Sequence, residues 1–227
     1  MEYYYLFIAA LAIMVLGMIV QSALNANFRK YSRIRTVYGK SAKDVAQEIL
    51  YRQNCQASIV PISGNLTDNF NPRTNTISLS QPVYNSDSIA AVAVAVHELG
   101  HAMQYKEGYS PIAIRNAILP FANIGASFAP IIVIVGLFFS LPNLAMIGVC
   151  LYAAVLAFQL VTLPVEFNAS HRAMTLLTEG GYIQQSEAVG ARKVLSMAAM
   201  TYVVNTLATL VSLLRLMLIA SGSRRND

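Results

Sequence analysis

Residues Asn116 to Val165 read NAILPFANIGASFAPIIVIVGLFFSLPNLAMIGVCLYAAVLAFQLVTLPV, fifty positions without one Asp, Glu, Lys or Arg. A soluble domain of ordinary size has no interior that hides such a run, and one membrane crossing needs only about 20 apolar residues. The run must therefore double back, and Ser140-Leu141-Pro142-Asn143 carries the turn chemistry to do so. Two spans are predicted, near Ile118–Phe139 and Leu144–Leu163. Two further segments have the necessary length. One is Tyr3–Leu24; the other is Val194–Ala220, charged only at Arg215, whose stem can reach the interface.

The rest of the chain agrees with a membrane protein. Of 227 residues 56% are hydrophobic and 12% charged, about half the charge of a typical soluble chain. Such a composition excludes disorder, and the two cysteines, Cys55 and Cys150, lie in unlike segments and read as free thiols, not a disulfide scaffold. The net charge of +5 is clustered beside the apolar segments. It points to lipid headgroups, and no nucleic-acid partner is expected.

Basic residues flanking the spans set the orientation. Arg29, Lys30, Arg33, Arg35, Lys40 and Lys43 follow the first span, Lys106 and Arg115 precede the second, and Arg172, Arg192 and Lys193 separate the third from the fourth. The opposite side offers Arg224 and Arg225. The expected layout is a multi-pass protein of the plasma (inner) membrane with its N-terminus outside. Residues 1–24 form the first span, 25–116 a cytosolic segment, 117–164 a hairpin of two spans, 165–193 a second cytosolic segment, 194–220 the last span and 221–227 a tail. A cleaved signal peptide is disfavoured because the first residues carry Glu2 and no Lys or Arg.

Within the first cytosolic segment Ser41-Ala42-Lys43-Asp44 has a capping pattern for a helix reaching about Gln53. Ala57–Ile62 and Thr76–Leu79 read as strands of a hairpin or two-stranded sheet, with turn residues between them. Asp87 is expected to start a helix running to about Glu107, apolar on every face and therefore buried. A helix starting near Glu166 should end at Gly180-Gly181, and Ser186 should cap the helix entering the last span.

The buried helix contains His97-Glu98-Leu99-Gly100-His101. Residues four apart share a helical face, so both imidazoles can reach one ion while Glu98 holds a water bound to it. This is the zinc-peptidase arrangement, with His97 and His101 as metal ligands and Glu98 as general base. The alternative, two core histidines beside an incidental Glu98, would bury a carboxylate without relief. Gly100 would let another backbone approach. A third ligand is sought by elimination. Glu2 and Asp227 fall on the wrong side, Asp44 and Glu48 on a surface helix, and Glu107 points away. Glu166 closes the uncharged run where the third span meets the cytosol, and two crossings return the chain to the face of His101. His171 is the rival.

These residues carry a resemblance. Leu66-Thr67-Asp68, Asn71-Pro72-Arg73-Thr74, His97 to Gln104, Glu107-Gly108-Tyr109 and Leu163 to Ser170 with Arg172-Ala173 are similar to the YugP-like family of prokaryotic membrane zinc metallopeptidases, over the whole chain. The resemblance implies zinc as cofactor, His97 and His101 as ligands, and Glu98 as base. Analogy with HtpX-like membrane peptidases, whose second motif is a glutamate after a pair of spans, implies Glu166 as third ligand. Those relatives have Asp where Ser170 stands here. The expected fold is a mainly α membrane protein: four transmembrane helices with a small α+β, zincin-like cytosolic portion carrying the HExxH helix. The expected function is hydrolysis of peptide bonds in membrane proteins or peptides near the cytosolic face. A zinc-dependent scaffold that binds a partner without hydrolysis is the alternative, and a homo-oligomer is left open.

Overall fold

The computed structural model describes residues 2–223. Arg224, Arg225 and Asp227, which entered the charge argument, and the side chain of Glu2 lie outside the described residues. The elements in order are α1 (Glu2–Tyr31), α2 (Ala42–Arg52), β1 (Ser58–Ile62), β2 (Asn69–Asn71), β3 (Thr76–Ser80), α3 (Gln81–Tyr84), α4 (Ile89–Lys106), α5 (Ser110–Phe138), α6 (Pro142–Glu179) and α7 (Gln185–Ser223). Four of these helices, α1, α5, α6 and α7, are long and apolar enough to cross a membrane. The chain divides into two compact units, one of Met1–Ile19, Ala113–Pro164 and Thr201–Asp227, the other of Val20–Ile112 and Val165–Met200.

The first unit is helical in its described residues apart from the turn at 139–141. Val133, Ala145, Val149, Leu213 and Ala220 form its buried cluster. A side-chain carbon at Gly148 would lie 2.6 Å from Val133 Cγ2 and 2.9 Å from the Ala129 carbonyl oxygen, so glycine lets α5 and α6 close up there. Phe121, Phe128, Ile131, Ile134 and Phe138 remain exposed, as side chains facing lipid would be. The expected turn is present: Ser140 adopts a left-handed φ of 54° and Pro142 opens α6.

The second unit is built around α4, buried on nearly every face. Ser88, and not Asp87 as expected, caps it by accepting a hydrogen bond from the Ala91 N–H, because Asp87 is turned toward Arg35. Helix α2 begins where its capping pattern predicts and packs Val45, Ala46, Ile49 and Leu50 into the same core. The sheet differs from the expected hairpin or pair of strands. Its order is β1-β3-β2, with β1 parallel to β3 and β2 antiparallel to it. Parallel pairing needs a crossover, and part of that crossover forms the third strand. Asn69-Phe70-Asn71 holds one apolar residue among turn formers, too little to read as a strand. Both edges of β3 are thus occupied.

Helix α6 is also longer than expected. The span ending at Leu163 and the helix starting near Glu166 are one helix, passing through Pro164. Proline withholds a single N–H, and neighbours in a packed helix can absorb that loss. The start of α7 is fixed by Glu187 and not by Ser186. Glu187 is buried, and its two carboxylate oxygens accept the N–H groups of Val37 and Gln184, each at 2.7 Å. This is half of a capping box, joined to a tie onto the loop after α1. Glu187→Ala should strip two part-buried N–H groups of their acceptor and cost about 1–2 kcal/mol. Glu187→Gln should cost less. Unfolding in mild detergent measures both, and an alanine variant as stable as wild type would contradict the assignment.

Candidate metal centre

The site begins with a backbone approach within the second unit. A side-chain carbon at Gly100 would lie 2.7 Å from the carbonyl oxygen of Ala169, closer than real contacts permit. Glycine therefore sets how near α4 comes to α6, one turn from Glu166 on one helix and beside His101 on the other.

The result is a convergence of three donors. Glu166 Oε2 lies 3.4 Å from His97 Nε2 and 3.6 Å from His101 Nε2. The ligand atoms of all three residues lie within 4.8 Å of one another. Two imidazoles four apart on a helix meet edge to face, with centroids 4.9 Å apart. Separations of about 3–4 Å are what a tetrahedral ion with bonds near 2.0–2.2 Å imposes on neighbouring ligands. Two imidazole nitrogens and one carboxylate oxygen also make the donor set that suits zinc and keeps a fourth position open. The residues fit such an ion. His171 is exposed and stands apart from this cluster.

A chain of hydrogen bonds fixes which nitrogen of His101 faces the cluster. Arg172 can only donate, and its Nε lies 2.7 Å from Asn168 Oδ1. Asn168 Oδ1 also accepts from Gln104 Nε2 at 2.9 Å, and the same amide nitrogen donates to the Val165 carbonyl at 2.8 Å. Gln104 therefore turns its oxygen to His101, where Nδ1 lies 3.0 Å away and must donate. The Nε2 lone pair of His101 is thereby left facing Glu166. Ser170 Oγ stands 3.2 Å from His97 Nδ1 and supplies the matching contact on the other ring. At its far end the chain closes on Glu107, whose carboxylate pairs with Arg172 Nη1 at 2.7 Å, while Arg172 also lies over the Tyr109 ring.

These partners explain residues whose roles sequence leaves open. In the sequence Gln104 is read only as the end of a motif, with no role, although its three-residue spacing from His101 places it on the same helical face. Asn168 and Arg172 are spent on holding Gln104. Tyr105 packs its ring against Phe70 of β2, with centroids 5.5 Å apart.

Glu98 is buried beside the two imidazoles. Burial pushes its carboxyl above the usual carboxylate range, with Glu166 and Asp68 adding to the rise and the histidines opposing it. Placed beside the two imidazoles, such a carboxyl is positioned to take and return a proton.

Loss of the partner that orients a metal-binding histidine typically weakens the metal 10- to 100-fold. Gln104→Leu should therefore lower zinc affinity by about that factor, and Ser170→Ala should lower it less. Competition with a chromophoric chelator measures both; unchanged affinity in Gln104→Leu would break the argument.

Comparison with known proteins agrees with the geometry. Residues 5–221 match the family described as "Putative neutral zinc metallopeptidase". A Bacillus subtilis (strain 168) protein, "Putative membrane protease YugP", is 39% identical over 225 residues, covering 99% of each chain. No solved structure matches the chain. With nearly its whole length matched on both counts, the chain belongs to this neutral zinc metallopeptidase family.

Proposed function

We propose that the protein is an integral membrane zinc metalloendopeptidase. In this reading His97, His101 and Glu166 hold the ion, and Glu98 is the general base. The convergence of two imidazoles and a carboxylate beside a buried second carboxylate is the observation that carries it. Zinc bound there would polarise a peptide carbonyl and bring the pKa of a water to about 7. Glu98 accepts the proton of the attacking water on its carboxylate and passes it to the departing amine. Gln104 and Ser170 keep both rings from turning while this happens. The apolar packing of α4 around Glu98 limits solvent, which strengthens each charge interaction.

The placement proposed with it follows the distribution of basic residues. Residues 25–116 and 165–193 face the cytosol as a zincin-like portion, residues 1–24, 117–164 and 194–220 span the plasma membrane, and 221–227 form a tail. Substrates are then membrane proteins or peptides cut close to the inner face.

Purified Glu98→Gln should keep about one zinc per chain and lose casein or peptide cleavage by about 10²- to 10⁴-fold. Equal cleavage by wild type and variant would refute the role of Glu98. Stoichiometric zinc with no cleavage by either would leave a zinc-dependent scaffold. Glu166→Ala should deplete zinc while His171→Ala retains it; the reverse would move the third ligand. A cysteine at Lys43 in intact cells should react with an impermeant maleimide only after permeabilisation, and labelling without it would invert the topology.

A further inference from the structure

A cleft of about 610 Å³ opens in the second unit between the later turns of α1 and the first turns of α7. Its size lies within the range of small-molecule sites. Arg192, Lys193, Ser196 and Met197 reach it from one face of α7, and Asn27 from α1. Arg192 and Lys193 are exposed, and among the described residues neither has a carboxylate within ion-pairing distance. The acid nearest in sequence, Glu187, is committed to two backbone N–H groups. The cleft thus combines two uncompensated cations, a hydroxyl donor one turn further on, and the thioether of Met197. None of these residues belongs to the metal cluster.

A soluble anion would use the cations and leave the apolar wall unfilled. An amphiphile with a phosphate head uses both. Arg192 and Lys193 also immediately precede the apolar stretch of α7, which puts them at headgroup depth when that stretch crosses a bilayer. We infer that this cleft binds the headgroup of an anionic phospholipid, with Arg192 and Lys193 on the phosphate and Met197 against the start of an acyl chain. The inference rests on α1 and α7 spanning a membrane and is independent of the zinc chemistry.

Native mass spectrometry of the full chain in neutral detergent tests it, using phosphatidylglycerol and phosphatidylcholine of matched chains. Wild type should retain phosphatidylglycerol over phosphatidylcholine by at least about tenfold. Arg192→Ala with Lys193→Ala should abolish the preference. Arg29→Ala with Lys30→Ala removes the same charge outside the cleft and should preserve it. Ser196→Trp, which fills the cleft with both cations in place, should abolish it too. Equal loss in both double variants would reduce the effect to diffuse surface charge and overturn the site. So would equal retention of the two lipids, or displacement of phosphatidylglycerol by millimolar inorganic phosphate.

Discussion

The close passage of α4 over α6 at Gly100 is the constraint on which the proposed metal centre depends. Ligand pairs about 3–4 Å apart cannot be reached if the helices stand a methyl group further apart, because rigid helices move their side chains together. Gly100 costs α4 about 1 kcal/mol of helix propensity relative to alanine. In return the Ala169 carbonyl sits where a side chain would be, and Glu166, three residues earlier on α6, falls opposite both imidazoles.

The hydrogen-bond chain from Glu107 through Arg172, Asn168 and Gln104 to His101 does a second job. It assigns every flexible amide from one group that can only donate, so the imidazole has a single arrangement. It also ties the end of α4 to α6 through the Arg172–Glu107 pair, next to the helix contact it serves. That pair is partly exposed, so its own contribution to stability is small and its effect is mainly orientation.

How much of this was legible in the sequence depended on whether the signal was local. The convergence of His97 and His101 could be read because helical spacing alone puts both imidazoles on one face. Glu166 could be singled out because no other acid sits at the end of the uncharged run, and the turn at Ser140–Asn143 was marked by its own residue types. Gln104 was opaque, since a polar residue in an apolar helix reveals its burial only once its partners on α6 are known. The same holds for Glu187, whose acceptor role joins positions 150 residues apart. Strand β2 lacks an apolar pattern and exists because β3 offers it an edge. The continuity of α6 through Pro164 ran against local propensity, which favours a break at the residue before proline. Packing along the helix overrode it.

The central claim is that one zinc ion joins α4 to α6. Anomalous diffraction at the zinc edge from crystals of the purified chain tests it most directly. The account predicts a single strong peak about 2.0–2.2 Å from His97 Nε2, His101 Nε2 and a carboxylate oxygen of Glu166. A peak that leaves Glu166 unbound, or zinc-loaded crystals with no peak between the two helices, would contradict it.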